Sequence, residues 1–325
     1  MLAVHVPSGS SLERRVMVSG EEVPENAVWL DLVNPAPGED KLVEKLLGVG
    51  VPTREEMQEI EVSSRLYVEH HARFMTATLM CNSDTAKPKT TAVTFILSGH
   101  RLVTVRYDEP RPFTLVSNKL ARTCPSHITG EQVLMDLLDA VIDRAADIIE
   151  RIGVEVDQLS HDIFEPESGS AVVPISYKDV LKANGSKGDL NSKIRESLLS
   201  IGRLLLFLAN EAESMRWHKD VRLQLQAMQR DVLSLSDHST YLNSKIQFLQ
   251  DAVVGIINID QNNIIKIFSI AAVAMMPPTL IASIYGMNFK TIPELEWIYG
   301  YPFAIGLMVI SAILPFLVFK WKKWL

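Results

Sequence analysis

Nine residues near the C-terminus have the types and spacing to line a path for ions. Asn258, Asn262, Ile265, Ser269, Ala272, Met276, Thr279, Ser283 and Gly286 follow one another at steps of three and four. On a helix such residues share one face. The stripe is small or mildly polar, yet most of it lies within Ile264 to Tyr285, a run that is apolar apart from Lys266. Facing lipid, the Asn262 carboxamide would be costly and the Thr279 hydroxyl without purpose. Facing a shared axis, the same groups line a path. Small residues also permit close packing of membrane helices, but packing has no need of asparagine at both mouths. Pro277-Pro278 removes two backbone donors mid-span and leaves carbonyls free, which is tolerable where backbone lines water or is covered by neighbours.

Other chemistries find little support. Cys81 and Cys124 stand alone, with no zinc-ligand spacing, and read as two reduced, buried thiols. His70-His71 sit beside a strand with no third ligand and read as structural. No glycine-rich phosphate loop is present, so ATP is not indicated. No nucleophile–base pair, metal cluster or cofactor loop rises above chance, so an enzyme is the weakest reading. The net charge of −7 gives no reason to expect nucleic acid as a partner. Asp136, Asp139, Asp143, Asp147 and Glu150 form an acidic helical stripe. It reads as solvated surface, or as a device that concentrates cations or neutralises Lys320, Lys322 and Lys323.

The elements that must position the polar stripe are two membrane spans. Ile264–Tyr285 is long enough to cross roughly 30 Å of hydrocarbon, and Tyr301–Phe319 is a second, uncharged run. Lys320, Lys322 and Lys323 follow the second span, while Lys245 and Lys266 lie at or before the first. The connecting loop sets Lys290 against Glu294 and Glu296. Positive charge stays inside, so both termini face the cytosol. Trp297, Tyr299, Tyr301, Trp321 and Trp324 stand where interfacial aromatics belong. Two helices per chain cannot enclose a pore, so a path requires a ring of identical subunits.

Ahead of the spans the chain is charged and reads as soluble, with no signal peptide at its start. Residues 1–128 form an α/β domain. Val28–Leu32 is a strand closed by Asn34-Pro35, and Glu39–Leu47 a helix ended by Gly48. Thr53 and Glu56 mark a capping box at the start of another helix. Arg73–Leu79, Ala92–Leu97 and Arg101–Tyr107 are strands, the last two joined by a turn at Ser98-Gly99-His100. Residues 129–263 form a helical stalk. Gly130–Phe164 is one helix, Pro166–Gly188 a mobile connection, and helix resumes near Leu190. Past Trp217 comes a long helix whose apolar stripe runs Val221, Leu225, Met228, Val232, Leu235, Ser239, Leu242, Ile246, Leu249, Val253 and Ile256. This spacing predicts either a coiled-coil stalk leading to a membrane or a helix packed on its own domain. The remainder divides into span 264–285, external loop 286–300, span 301–319 and basic tail 320–325. The fold class is therefore an α+β membrane protein, with a cytosolic domain, a long helical stalk and two C-terminal transmembrane helices.

Tyr285-Gly286-Met287-Asn288-Phe289, followed by Pro293-Glu294-Leu295, Gly300-Tyr301-Pro302 and the tail Phe319–Leu325, resembles the CorA family of magnesium and cobalt transport proteins. The detailed match covers about residues 258–325. The resemblance implies a homopentameric, funnel-shaped channel with a cytosolic αβα domain in a bacterial inner membrane. It implies magnesium influx, with cobalt and nickel also carried, driven by the membrane potential and closed by cytosolic magnesium. In that reading Tyr285, Gly286, Met287, Asn288 and Phe289 form the outer selectivity motif. Asn262, Met276 and Thr279 line the pore, Ile265 and Phe268 gate it, and Glu294 attracts cations outside. Asp231 and Asp237 are candidate regulatory ligands. Ile292 stands before Pro293 where many relatives have methionine. The expected partners are further copies of the chain, membrane lipid and divalent cations; Mg2+ is cargo and regulator, with no organic cofactor.

The chemistry agrees with that resemblance. Magnesium gives up its octahedral water shell reluctantly, so its filter should bind the hydrated ion. A ring of Asn288 amides can accept hydrogen bonds from coordinated waters, where carboxylates would hold the ion too tightly for release. Alternatives are a transporter for another divalent ion such as zinc, and a membrane-anchored scaffold. Zinc-selective members of the family that the chain resembles tend to vary the middle residue of the tripeptide, so the resemblance implies that Met287 favours magnesium. An anchor has no use for the polar stripe.

Overall fold

The computed structural model describes every residue except 19–20, 86, 126, 165–175, 215–216, 289–292, 294–296 and 323–325. It divides into two units, Met1–Gln250 and Asp251–Leu325.

The first unit is built on seven strands: β1 (Leu2–Ser8), β2 (Ser11–Val16), β3 (Trp29–Val33), β4 (Leu66–Glu69), β5 (Ala72–Cys81), β6 (Lys89–Ser98) and β7 (Arg101–Arg106). They lie in the order β2-β1-β3-β7-β6-β5-β4. Only β3 and β7 pair in parallel, with Trp29 opposite Leu102. Side chains alternate across the sheet, so each strand feeds two cores. Trp29, Met75 and Phe95 point to one face and Leu30, Phe74 and Ile96 to the other. On the second face lie α1 (Glu39–Leu47), through Val43, and a 3-10 turn at Glu56–Gln58, through Met57. The first face is covered by α3 (Arg111–Arg122), α4 (Gly130–Phe164), α5 (Tyr177–Ser214) and the first part of α6 (Lys219–Tyr285). The result is a three-layer αβα arrangement.

Several expectations are met residue for residue. Helix α1 closes on Gly48, whose φ of 70° suits glycine. The β6–β7 hairpin pairs Ser98 with Arg101 around Gly99, and α4 runs over the expected Gly130–Phe164. Others are corrected. The capping box forms, with the Thr53 N–H donating to Glu56 Oε2 at 2.8 Å and the Glu56 N–H to Thr53 Oγ1 at 3.3 Å. It starts only the 3-10 turn, because Glu59 is already extended; the four-residue α2 (Val62–Arg65) follows separately. His70-His71 are not merely beside a strand. They are the β4–β5 turn itself, at φ 44° and 71°.

The expected connection as far as Gly188 is also overturned in part. Residues 165–175 lie outside the described residues, but α5 is already helical from Tyr177, through Gly185 and Gly188. At Gly188 a Cβ would make only ordinary contact with Ile246 Cγ2, at 3.5 Å, so the helix runs through this glycine against α6. Beside it the Asn184 Nδ2 donates to the Ile246 carbonyl at 2.9 Å. The apolar stripe of α6 is thus filled by its own chain. Leu225, Met228, Val232, Leu242, Ile246 and Leu249 are buried in the same core as α4 and α5, so packing on its own domain is the reading that holds for this stretch.

Candidate ion path

In the second unit the apolar end of α6 and α7 (Gly300–Trp321) are the two described helices. Both are long and apolar enough to cross a membrane, with mean hydropathy of 1.9 and 2.4 over their most apolar windows. Few residues of these windows are buried, 11% and 6%, unlike the core helix of a soluble domain. Trp297 and Tyr299 meet edge to face, and Trp297 also packs on Phe303, at the start of α7.

The covered face of the α6 span consists of Ala274, which is buried, with Ile270, Pro277, Pro278, Ile281 and Tyr285 half-buried. On α7 the covered residues are Gly300 and Ala304, with Gly306, Met308, Ser311, Ala312, Pro315 and Phe319 half-buried. Small residues on such faces let membrane helices approach closely. The α6 covered set was not anticipated, although Ala304, Ser311 and Ala312 signal that of α7 by their spacing.

The polar stripe occupies the other side of α6. At about 100° per residue, the stripe from Asn262 to Gly286 is centred about 150° around α6 from Ile270, Ala274, Pro277 and Ile281, with Asn262 and Ser269 at its near edge, about 80–100° from Ile270. All of Asn258, Asn262, Ile265, Phe268, Ser269, Ala272, Met276, Thr279, Ser283 and Gly286 are exposed. Ile265 and Phe268 are 61% and 72% exposed, as other apolar residues of the span such as Ile267 also are. Packing within the chain therefore does not account for the stripe.

Inside the span, Pro277 and Pro278 interrupt the ladder of backbone donors, leaving the carbonyls of Val273 and Ala274 without their usual i+4 N–H. Just beyond, the Thr279 hydroxyl donates to the Met275 carbonyl at 2.7 Å and the Ser283 hydroxyl to the Thr279 carbonyl at 2.8 Å. Each hydroxyl proton is spent on the helix, so the oxygens present lone pairs outward. That polarity suits a cation or its waters.

The helix closes at Tyr285. The Gly286 N–H reaches Ala282 O at 2.9 Å, and the Met287 N–H makes a tighter turn to Ile284 O at 3.3 Å. A Cβ on Gly286 would stand 3.1 Å from the Ala282 carbonyl oxygen, tight enough that a side chain here would shift the turn by a few tenths of an ångström. Met287 and Asn288 follow, both exposed. Phe289 and Glu294 lie outside the described residues.

In the first unit the acidic stripe of α4 is partly compensated. It borders a cleft of about 300 Å³ with Arg111, Lys119 and Arg144. Asp136 pairs with Lys119 at 3.0 Å and Asp147 with Arg144 at 3.6 Å. Burial, then the charges of Asp143, Asp136 and Asp231, push the Asp139 carboxyl above its usual range against Lys119. Asp231 thus stands near the stripe. Asp237 is six positions further on, about 120° around the helix, so the two do not share a face. Among the described residues no group of three or more His, Cys, Asp or Glu side chains is placed to hold a metal ion.

Comparison with known proteins places the chain. The family model described as "CorA-like Mg2+ transporter protein" matches residues 24–322. The chain belongs to the CorA family. The magnesium transport protein CorA of Campylobacter jejuni is 32% identical, with all of both chains covered. That of Escherichia coli strain K12 is 36% identical over 92% of each. Among solved structures, the complete CorA magnesium transporter of Methanocaldococcus jannaschii superposes with a TM-score of 0.73 at 17% identity, covering 98% of this chain and 97% of its own. The CorA fold is thus present from end to end: a mixed-sheet domain, a long helix and two apolar C-terminal helices.

Proposed function

We propose that this chain is a channel for divalent cations that admits magnesium, with cobalt and nickel as further cargo, through a bacterial inner membrane. One observation carries the reading: the polar stripe of α6 is exposed throughout and turned away from the covered face of its own helix, and it ends at Gly286-Met287-Asn288. The relatives' name, magnesium transport protein, supports the choice of ion.

The path is completed by copies of the same chain around one axis, five in the family's arrangement, with lipid outside. The hydrated ion first meets a ring of Asn288 amides, set by the Gly286 turn between Tyr285 and Phe289, with Glu294 adding negative charge outside. It then passes Thr279, Met276 and Asn262. Ile265 and Phe268 form a hydrophobic constriction that shuts by excluding water. Both termini face the cytosol, and the membrane potential supplies roughly 4–5 kcal/mol per 100 mV to a divalent ion moving inward. Cytosolic magnesium closes the channel. Asp231 and Asp237, on different faces of α6, are its candidate ligands, each meeting groups of a neighbouring copy.

The test is magnesium flux into liposomes containing the purified protein, under an inside-negative potential. Asn288→Ala should abolish most of the flux while leaving assembly intact. Undiminished flux in that variant would remove the amide ring from the mechanism.

A further inference from the structure

The αβα unit of this acidic chain carries a basic groove that neither its ion pairing nor the ion path uses. Two clefts, of about 320 and 260 Å³, adjoin through Arg65, Thr78 and Glu196, which line both. Together they gather the cations Arg54, Arg65, Lys89 and Arg203 against two carboxylates, Asp108 and Glu196. Lys89 is taken by Asp108 at 2.5 Å.

Among the described residues none of the three arginines makes an ion pair. Arg65 is half-buried and held by neutral acceptors, donating from Nε to the Glu59 carbonyl at 2.5 Å and from Nη1 to Thr78 Oγ1 at 3.0 Å. Burial draws its guanidinium below the ordinary value, and Arg203 adds to this while Glu196 opposes it. Arg54 lies 5.1 Å from the centre of the Tyr107 ring. Guanidinium groups fixed in this way, with fork donors to spare, are built to receive phosphate oxygens. The second cleft adds an apolar wall of Ile60, 88% exposed, with Val62 and Leu199. A ligand matching both halves has a multiply charged phosphate head and a flat, weakly polar body.

We propose that this groove binds a nucleoside polyphosphate, its phosphates on Arg54, Arg65 and Arg203 and its base against Ile60, Val62 and Leu199. The lack of a glycine-rich loop rules out a backbone cradle for phosphate but not one made of side chains. The site is independent of the ion path, so it stands or falls apart from the transport reading.

The experiment is equilibrium dialysis of radiolabelled ATP against the full chain in detergent, with chelator present and at low salt, where phosphate contacts are least screened. The expected result is one saturable site per chain, displaced by pyrophosphate and not by adenosine alone. The Arg54→Gln/Arg203→Gln variant changes two exposed side chains and should melt like the parent while binding at least ~10-fold more weakly, a change of about 1.4 kcal/mol. Arg65→Lys keeps the charge but loses the fork and should weaken binding on its own. Arg122→Gln, at the far end of α3, should change nothing. No saturable binding by the parent, or equal binding by the arginine variants, would overturn the proposal. Equal affinity for ATP and pyrophosphate would overturn its nucleoside half.

Discussion

Asn191 and Ser239 clasp each other across the α5–α6 contact. The Asn191 Nδ2 donates to the Ser239 carbonyl at 2.9 Å, and the Ser239 hydroxyl donates back to Asn191 Oδ1 at 3.1 Å. Both residues are buried, at 1% and 0% exposure. A heptad away, Asn184 repeats half of the clasp on the Ile246 carbonyl. Further along, the Gln229 Nε2 donates to the Leu205 carbonyl at 3.1 Å. These polar rungs in a mainly apolar seam fix the register of the helices, since a slip would break their hydrogen bonds in a buried setting. Asn191→Ala should therefore destabilise the protein by about 1–3 kcal/mol, the cost of leaving a buried polar group unsatisfied. Thermal unfolding in detergent measures it. Asn191→Ala combined with Ser239→Ala should cost less than the two single changes added together.

His5 gives the αβα unit a sensitivity to acid. Its ring stacks on Trp29 at a centroid distance of 4.1 Å, Nε2 meets Ser117 Oγ at 3.2 Å, and Nδ1 is buried without a hydrogen-bond partner. Burial, with Arg14 and Arg106 nearby, lowers its pKa to about 4 although Asp31 and the Trp29 backbone pull the other way. The folded protein thus keeps His5 neutral while the unfolded chain takes up a proton below about pH 6.5. Stability is full above that pH and falls as pH drops towards 4, by up to roughly 3 kcal/mol from this group. His5→Gln should flatten this part of the stability–pH curve. An unchanged slope between pH 6.5 and 4 would show that other groups set it.

The two spans, α1 and α4 were legible because each carries a local signal: unbroken hydropathy, a terminal glycine, or regular apolar spacing. The outer strands β1 and β2 were not, since Glu13-Arg14-Arg15 has the composition of exposed chain and pairs only through β1. Helix α3 hid behind Arg111-Pro112, where proline at the first turn favours rather than breaks a helix. Gly185 and Gly188 read as breaks because what keeps this stretch helical, the docking of Asn184 on the Ile246 carbonyl and the burial of Leu190, is a tertiary fact. On the candidate ion path, the stripe could be seen in sequence, but its position away from the covered face of α6 could not. Ser239 was visible as the one polar member of its stripe, while its partner lay 48 residues away.

The His70-His71 turn carries a local strain that can be relieved. A two-residue hairpin with both central φ angles positive is the geometry that Asn-Gly adopts most readily, and histidine pays for it in side-chain crowding. Both rings are exposed, and His70 makes only a 3.4 Å contact with Glu69. His70→Asn/His71→Gly should raise stability by about 1 kcal/mol, seen as a higher melting temperature. Because these histidines serve the turn, the double variant should carry magnesium at the parental rate. Loss of flux would mean that the imidazoles do more than turn the chain.

Gly286 ties the helix end to the proposed selectivity motif. Its N–H closes the last turn on Ala282 while a Cβ would press to 3.1 Å on that same carbonyl oxygen. Gly286→Ala therefore leaves the span intact but pushes the backbone that carries Met287 and Asn288 by a few tenths of an ångström. Strain of about 1.4 kcal/mol acting on the filter alone would lower flux by roughly tenfold. In liposomes the variant should assemble and melt as the parent does, yet transport magnesium that much more slowly. Ala282→Gly would not rescue it, because the crowding atom is backbone. If Gly286→Ala conducts at the parental rate, the tight turn at the end of α6 is a packing detail and the placement of Asn288 must come from elsewhere in the loop.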